Sequence, residues 1–409
     1  MPFDRLEGIL EAEVRQVGEM GSRKGDEDVI SEVRPPTDGM GPRFVLSGQS
    51  GRLFLRMNSN SYLGMSLRDE VMAAEERATR AFGAGPGAVR FISGSYQTHV
   101  DLEHGLAGFH RREAGMIFSS AYATTMGVLP ALITDQTAVI SDELNHNCII
   151  NAMRLSRPRE KHIYRHLDMA DLESKLESAA GSSRRAVIVT DGIFSMRGDW
   201  APLPEIRSLV ERFDERFPEN AVLVVDDSHG VGAFGDTGRG TEEYTGSEPV
   251  DVLVATLGKS LGVNGGYVVG SRGLVDYLRE KSAFYIYSNP ITPGEAAAAL
   301  AALDILDSSI GRALLAHLRE MTARFEQGLV RLGCETIPGA HPVVPLMVRD
   351  TARTTALVAH LKENLVLATG LNFPVVPKGD EEIRFQISAD HTPADIDYTL
   401  EVLASFSRD

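Results

Sequence analysis

Three side chains of this 409-residue chain have the types and spacing to do chemistry together. Asp226 ends the apolar run Val222-Leu223-Val224-Val225, and His229 follows it closely. Lys259 lies just past a second apolar run, in Thr256-Leu257-Gly258-Lys259-Ser260-Leu261-Gly262. A lysine amine forms a Schiff base with an aldehyde. A carboxylate keeps a pyridine nitrogen protonated, which makes the ring an electron sink. Thr256 and Ser260, small and hydroxylated, suit a phosphate. The set points to pyridoxal phosphate chemistry, whereas each member taken singly reads more plainly: Lys259 as a surface lysine, Asp226 as the cap of a turn.

Two nearby motifs imitate other chemistries. Gly230-Val231-Gly232-Ala233-Phe234-Gly235 has the spacing of a dinucleotide fingerprint, which must open a helix to hold a pyrophosphate. The residues that follow, Asp236-Thr237-Gly238-Arg239-Gly240, break helices, so the motif reads as a glycine-rich loop. Gly258-Lys259-Ser260 matches the end of a P-loop, but Leu253 stands where the earlier glycine is required. His99, His104 and His110 fall on helix faces and read as non-catalytic.

The elements that must position these groups follow from periodicity. Apolar runs of strand length occur at 115–119, 138–141, 186–190, 221–225, 252–255 and 267–269. Helical periodicity lies between several of them, as in Met169–Ala179 and Leu203–Phe213. Such alternation predicts an α/β domain with a mostly parallel central sheet, and nearly unbroken apolar strands suit a sheet covered on both faces. In open sheets of this kind ligands collect at the carboxyl ends of strands, where Asp226 and Lys259 fall. Beyond residue 295 two long helices, then strands near 342–348 and 382–388 and helices near 354–363 and 393–405, predict a smaller α+β domain. The expected division is an N-terminal arm and hairpin over 1–57, a cofactor domain over 58–294 and a C-terminal domain over 295–409. The arm should hold a polar helix fraying into Gly21–Asp26, a Pro/Gly-rich break at Arg34–Pro42, and a hairpin of Phe44-Val45-Leu46 with Leu53-Phe54-Leu55.

Composition narrows the partners. With 41 basic and 57 acidic residues the net charge is −16, which argues against a general nucleic-acid or anionic-membrane surface. Cys148 and Cys334 form neither a disulfide framework nor a zinc pattern, so no metal is expected. The first residues contain no signal-peptide core, and the longest apolar stretch, Ala296–Leu303, is too short for a bilayer. A cytoplasmic protein is expected.

Several stretches, in order, carry a wider likeness: Ser59-Asn60-Ser61-Tyr62-Leu63-Gly64, Arg90–Ser95, Ser141–His146, Asp191-Gly192-Ile193-Phe194-Ser195-Met196, Val225–Gly230, Thr256–Lys259, Phe373–Pro377, Ile383–Ser388 and His391-Thr392-Pro393. Through them the chain resembles the α-oxoamine synthases, fold-type I pyridoxal phosphate enzymes, from about Asn58 to Ser405. Within the family, Ser141–Arg154, Thr190–Gly198 and Val225–Tyr244 look most like the branch that joins glycine to an acetyl-CoA thioester; other members use alanine, serine or other acyl groups.

The resemblance implies roles. Lys259 is the Schiff-base lysine and the acid/base at the substrate Cα. Asp226 pairs with the pyridinium nitrogen, His146 stacks on the ring, and Ser195 and His229 lie near the ring hydroxyl. Thr256 and backbone donors at Ala121 and Tyr122 hold the phosphate, with Ser288 reaching it from the partner subunit of a homodimer. Asn60 and Arg384 hold the amino-acid carboxylate, and Arg90 and Ser95 join the substrate-binding set. The expected reaction is an acyltransfer: a small amino acid, glycine first, then alanine or serine, condenses with an acyl-CoA or acyl-carrier-protein thioester. Ser61, Ser93–Tyr96, Ala121 and the loop Gly262–Tyr267 depart from the glycine-acetylating pattern near the substrate entrance, so they bear on the acyl donor more than on the cofactor. The alternatives are an aminotransferase or aldolase that needs no thioester, and a nicotinamide oxidoreductase built on Gly230–Gly235.

Overall fold

Each of the six apolar runs forms a strand in the computed structural model, which describes residues 3–19, 27–373 and 375–406. Together with Glu160–Tyr164 they build one sheet of seven strands. Its order is Ala114–Phe118, Gly266–Gly270, Val252–Thr256, Ala221–Asp226, Arg185–Asp191, Thr137–Asp142, Glu160–Tyr164. Neighbours run parallel except around Gly266–Gly270, which is antiparallel to both of its partners. Both faces are dry. Ile188, Leu223 and Val225 enter one apolar cluster, while Val187, Val189 and Val224 enter the other. That two-sided burial is why the strands read as unbroken apolar runs.

Glu160–Tyr164 escapes the apolar-run signal because it is an edge strand, with Lys161 and Ile163 turned outward. One covered face needs only alternate apolar residues. The helices Met169–Ala179 and Leu203–Asp214 lie where periodicity put them.

The arm differs from a simple hairpin. The helix Asp4–Glu19 buries none of its residues; the fraying expected over Gly21–Asp26 lies outside the described residues. Phe44 and Phe54 do exchange backbone hydrogen bonds, both 2.9 Å. The main partner of Arg43–Leu46, however, is the antiparallel strand Ile30–Arg34. Leu55–Arg56 then turns away to pair in parallel with Val366–Leu367, which ties the arm to the C-terminal part of the chain.

The helix Pro293–Leu306, expected to open the C-terminal domain, packs on the helices Asp69–Phe82 and Gln97–Phe109. A Cβ on Gly294 would stand 2.5 Å from Thr79 Oγ1, and one on Gly105 would stand 2.9 Å from Leu300, so glycine permits the close approach. The C-terminal sheet is antiparallel, in the order Glu335–Thr336, Val343–Met347, Glu382–Gln386, Thr369–Leu371. The helices Ser309–Arg331 and Pro393–Phe406 pack together beside it. Among the described residues no helix is long and apolar enough to cross a membrane.

Candidate active site

The parallel strands deliver acidic groups at their carboxyl ends. Asp191 and Asp226 end adjacent strands and are register partners. Both line a cleft with about 360 Å³ of free space, together with Lys259, His146, His229, Ser195, Ala121 and Tyr122. Seven of the residues expected at the site are thus brought together, from segments far apart in the chain.

Lys259 sits in the turn after the strand Val252–Thr256, where Gly262 N donates to Lys259 O at 3.0 Å. Burial pushes its amine down to about 8, while Asp226 and Asp191 oppose the shift. A lysine poised near neutrality can act as nucleophile or base. Asp226 Oδ1 accepts from Ser228 N at 3.1 Å, and Oδ2 accepts from Thr125 Oγ1 at 3.3 Å and Cys148 Sγ at 3.6 Å. Asp191 is pushed well above the carboxylate range by burial and by the Asp226 charge, and its Oδ2 accepts from His146 N at 2.9 Å.

The helix Ala121–Leu132 points its N-terminus into the cleft. Ser120 Oγ caps Ala123 N at 3.0 Å, which leaves the first amides, at Ala121 and Tyr122, available to an anion. The strand residue Gly266 makes this approach possible, since a Cβ there would lie 2.2 Å from Ala121 N. Gly266 is the register partner of Thr256, so Thr256 lies one strand from that helix start. Its Oγ1 donates to Gly265 O at 3.1 Å and accepts from Gly258 N at 3.0 Å.

The two histidines are held in different ways. His146 caps the helix Asn147–Leu155, its Nδ1 accepting from Cys148 N at 3.2 Å. Burial, reinforced by Lys259 and opposed by Asp226, lowers its pKa. His229 Nδ1 lies 2.7 Å from Tyr62 Oη, and its carbonyl accepts from His341 Nε2 at 2.8 Å. Burial first, then the charges of Lys259 and neighbouring cationic groups, hold His229 neutral.

Arg384, on the C-terminal strand Glu382–Gln386, reaches across so that Nη1 donates to Ser195 O at 2.9 Å. With the Gln386 carbonyl turned toward it, Nε and Nη2 donate at 2.9 and 2.6 Å. Arg384 does not itself line the cleft; it borders it through Ser195, whose carbonyl it holds, and its charge acts on Tyr62, His229, His341 and Lys259. Asn60 Oδ1 accepts from Tyr62 Oη at 3.2 Å and lies 3.3 Å from the side-chain amide of Gln386, the residue that bonds Arg384.

Other expected residues stand elsewhere. Arg90 and Ser95 are not in the cleft: Arg90 is buried and donates to both oxygens of Glu103, at 3.0 and 3.2 Å, and through Nε to Ser95 Oγ at 2.8 Å. Arg279 joins Glu103 from the other side at 2.8 Å. This ion cluster engages Arg90 and Ser95 within the chain, so the structure does not bring these two expected substrate ligands to the cleft. Ser288 does not line the cleft either; it follows Tyr287, which is 81% exposed. His99 and His110 serve packing, bonding Ile291 O at 2.9 Å and Tyr267 Oη at 2.8 Å. The loop Gly230–Gly235 wraps the buried Asp227 rather than opening a helix. A Cβ on Gly230 would stand 2.1 Å from Asp227 Oδ1, and the short helix that follows begins only at Thr241.

Asp191, Cys148 and Ser228 also line the cleft, without a role assigned from sequence. Asp191 had a legible signal, since it ends an apolar run as Asp226 does. Cys148 had none beyond its nearness to His146.

The donor set fits pyridoxal 5′-phosphate. Ser228 Oγ is buried in the cleft wall without a partner among the described residues. The helix start and Gly266 form a cradle for a phosphate, and a desolvated lysine and a carboxylate occupy the opposite needs of an aldehyde and a ring nitrogen.

Comparison with known proteins agrees. Residues 53–403 match the model of the aminotransferase class I and II family. A curated 8-amino-7-oxononanoate synthase of Thermosipho melanesiensis is 40% identical over 352 residues, 86% of this chain and 88% of that one. The mitochondrial 2-amino-3-ketobutyrate coenzyme A ligase of Bos taurus is 39% identical over 407 residues, 99% of this chain and 93% of its own. The solved serine palmitoyltransferase of Sphingomonas wittichii superposes with a TM-score of 0.88 at 28% identity, covering 100% of this chain and 97% of that one. A cleft built for a phosphate, a ring nitrogen and an aldehyde, on a fold shared with these enzymes, places the chain in the aminotransferase class I and II family, as a fold-type I pyridoxal phosphate enzyme of the α-oxoamine synthase group.

Proposed function

We propose that the protein condenses glycine with the acyl group of a short acyl-CoA, releasing the thiol. The observation that carries this reading is the convergence of Lys259, Asp226 and Asp191 on one cleft beside the open helix N-terminus. Bound pyridoxal phosphate supplies an electron sink for the charge left when Cα loses a proton.

The chain's residues do the rest. The Ala121 and Tyr122 amides, with Thr256, bind the phosphate. Asp226 holds the ring nitrogen charged, and His146 covers one ring face and excludes water. Arg384 holds the amino-acid carboxylate by two parallel hydrogen bonds. Lys259 Nζ takes the Cα proton. The new C–C bond forms at the thioester carbonyl as its C–S bond breaks, and the resulting β-keto acid loses carbon dioxide on the enzyme or after release.

Glycine and a two-carbon acyl group are supported by the likeness, over 99% of this chain, to a ligase named for 2-amino-3-ketobutyrate, whose carbons are those of glycine plus acetyl. The 40% identity to an 8-amino-7-oxononanoate synthase favours a second reading, alanine with a longer acyl chain. The protein works as a homodimer in this proposal, and the exposure of Tyr287 beside Ser288 supports a second copy seated there.

The test is a matrix of glycine, alanine and serine against acetyl-CoA and longer acyl-CoAs, read as free thiol released. Glycine with acetyl-CoA should be fastest. Amino-group transfer to a keto acid, with no thiol released from any pair, would replace this reading with an aminotransferase.

A further inference from the structure

The mechanism leaves the half-buried cluster of His166, Asp142 and Asp199 unused. His166 stands beyond the strand Glu160–Tyr164, with a carboxylate at each ring nitrogen. Nδ1 lies 3.0 Å from Asp142 Oδ1, and Nε2 lies 3.3 Å from Asp199 Oδ2. A neutral imidazole has one N–H and would leave one of these contacts as lone pair against anion. Only the doubly protonated ring serves both.

Both carboxylates are themselves fixed. Asp142 ends a central strand and accepts from Leu144 N at 2.9 Å and Leu167 N at 3.1 Å. Leu167 adopts a φ of 54°, a left-handed conformation a leucine avoids unless neighbouring bonds impose it. Asp199 Oδ2 also accepts from Arg197 Nε at 2.7 Å. The His166 ring meets the edge of Phe194 with centroids 4.4 Å apart.

Phe194 and Asp199 are the two ends of the turn that carries Ser195. Phe194 N donates to Asp199 O at 2.9 Å, closing it. Ser195 lines the cleft, and its carbonyl is the acceptor that holds Arg384 Nη1.

We infer that His166 is a positioning residue for the reaction, an imidazolium that clamps the Phe194–Asp199 turn to the end of the Thr137–Asp142 strand and thereby sets Ser195 and Arg384 for the amino-acid carboxylate. The kinetic half of this inference rests on the proposed condensation; the charge state of His166 does not.

The groups facing His166 support the cation. Asp142 and Asp199 flank it, and Glu143 Oε1 accepts its backbone N–H at 2.8 Å. Arg197 is shared out to Asp199, and Arg165 turns away to Asp168 and Asp171. The two carboxylates outweigh burial and raise the ring to about 9. The clamp is therefore closed throughout the neutral range and opens as pH rises through about 9.

Nitrogen-15 spectra of the histidine-labelled holoenzyme test the charge directly, with His166 assigned by its loss in His166→Gln. Two protonated ring nitrogens at pH 7.5 are expected, and a neutral ring overturns the inference. In kinetics, His166→Gln should raise KM for the amino acid about tenfold, the worth of one charge-assisted hydrogen bond, and change kcat little. It should also abolish the rise of KM that the parent enzyme shows above pH 9. If that variant fails to fold, Asp199→Asn leaves one carboxylate, and the rise in KM should move to lower pH. A folded variant with unchanged KM, or one in which kcat falls and KM does not move, overturns the positioning role. If no substrate pair releases thiol in the parent enzyme, the proposed condensation has failed, and the nitrogen-15 result still decides the charge.

Discussion

Asp191 and Asp226 are register partners at the ends of two adjacent parallel strands, and both line the same cleft. Two carboxylates this close, out of water, do not both ionise at ordinary cost. Burial, and then the Asp226 charge, displace Asp191 upward. A carboxyl whose folded pKa lies above its unfolded value weakens the fold progressively as pH rises from about 4 toward the folded value. Asp191→Asn keeps an acceptor for His146 N and removes that burden. Thermal melting of the cofactor-free protein should show the variant gaining on the parent as pH rises, with no gain at the acid end.

Lys259 should govern both turnover and cofactor capture. Lys259→Ala is expected to abolish thiol release while leaving the circular dichroism spectrum unchanged. Its amine, lowered to about 8, is mostly protonated below that pH. The rate at which cofactor-free protein takes up pyridoxal phosphate, followed by absorbance, should therefore climb with pH around a midpoint near 8. Because the charged form is disfavoured in the fold, the cofactor-free parent should also gain stability relative to Lys259→Ala from pH 8 up to the unfolded lysine value of 10.5.

Arg384→Lys replaces a planar fork with a point charge. Loss of one charged hydrogen bond costs about 1.5–3 kcal/mol, so KM for the amino acid should rise about 10- to 100-fold, with a smaller change in kcat. An unchanged KM would remove Arg384 from the carboxylate site.

Gly266→Ala tests the phosphate cradle. The added methyl would sit 2.2 Å from Ala121 N and must push the helix start away. Overpacking of this kind costs about 1–3 kcal/mol. The expected result is a lower melting temperature together with weaker pyridoxal phosphate binding, measured by equilibrium dialysis.

Arg90→Ala separates a structural ion pair from a substrate contact. It leaves Glu103 buried with Arg279 as its remaining partner. Breaking a buried pair costs about 3–5 kcal/mol, so denaturant midpoints should fall while KM for both substrates stays put. A large KM change in a protein of normal stability would return Arg90 to the substrate site.

The sequence by itself determined six of the sheet's seven strands and the candidate chemical centre at their ends, because both are local signals. A strand buried on two faces must be apolar along its length, so its end is marked by the first polar residue, and Asp226 and Lys259 stand at or just past such ends. Helical periodicity marks Met169–Ala179 in the same local way, since only one of its faces is buried. Tertiary structure decided what local pattern does not encode. Arg90 is an arginine in either role, and only the fold shows that Glu103, shared with Arg279, is its partner within the chain. The glycines of Gly230–Gly235 mimic a fingerprint, yet each permits a close contact of the loop, Gly230 with Asp227, Gly232 with Ser260 and Gly235 with Glu243. The pairing of Asp191 with Asp226, and of His166 with Asp142 and Asp199, depends on strand register and loop packing. Charge states in the cleft follow from that pairing, since burial and the distance to a neighbouring charge are properties of the fold, not of any one residue.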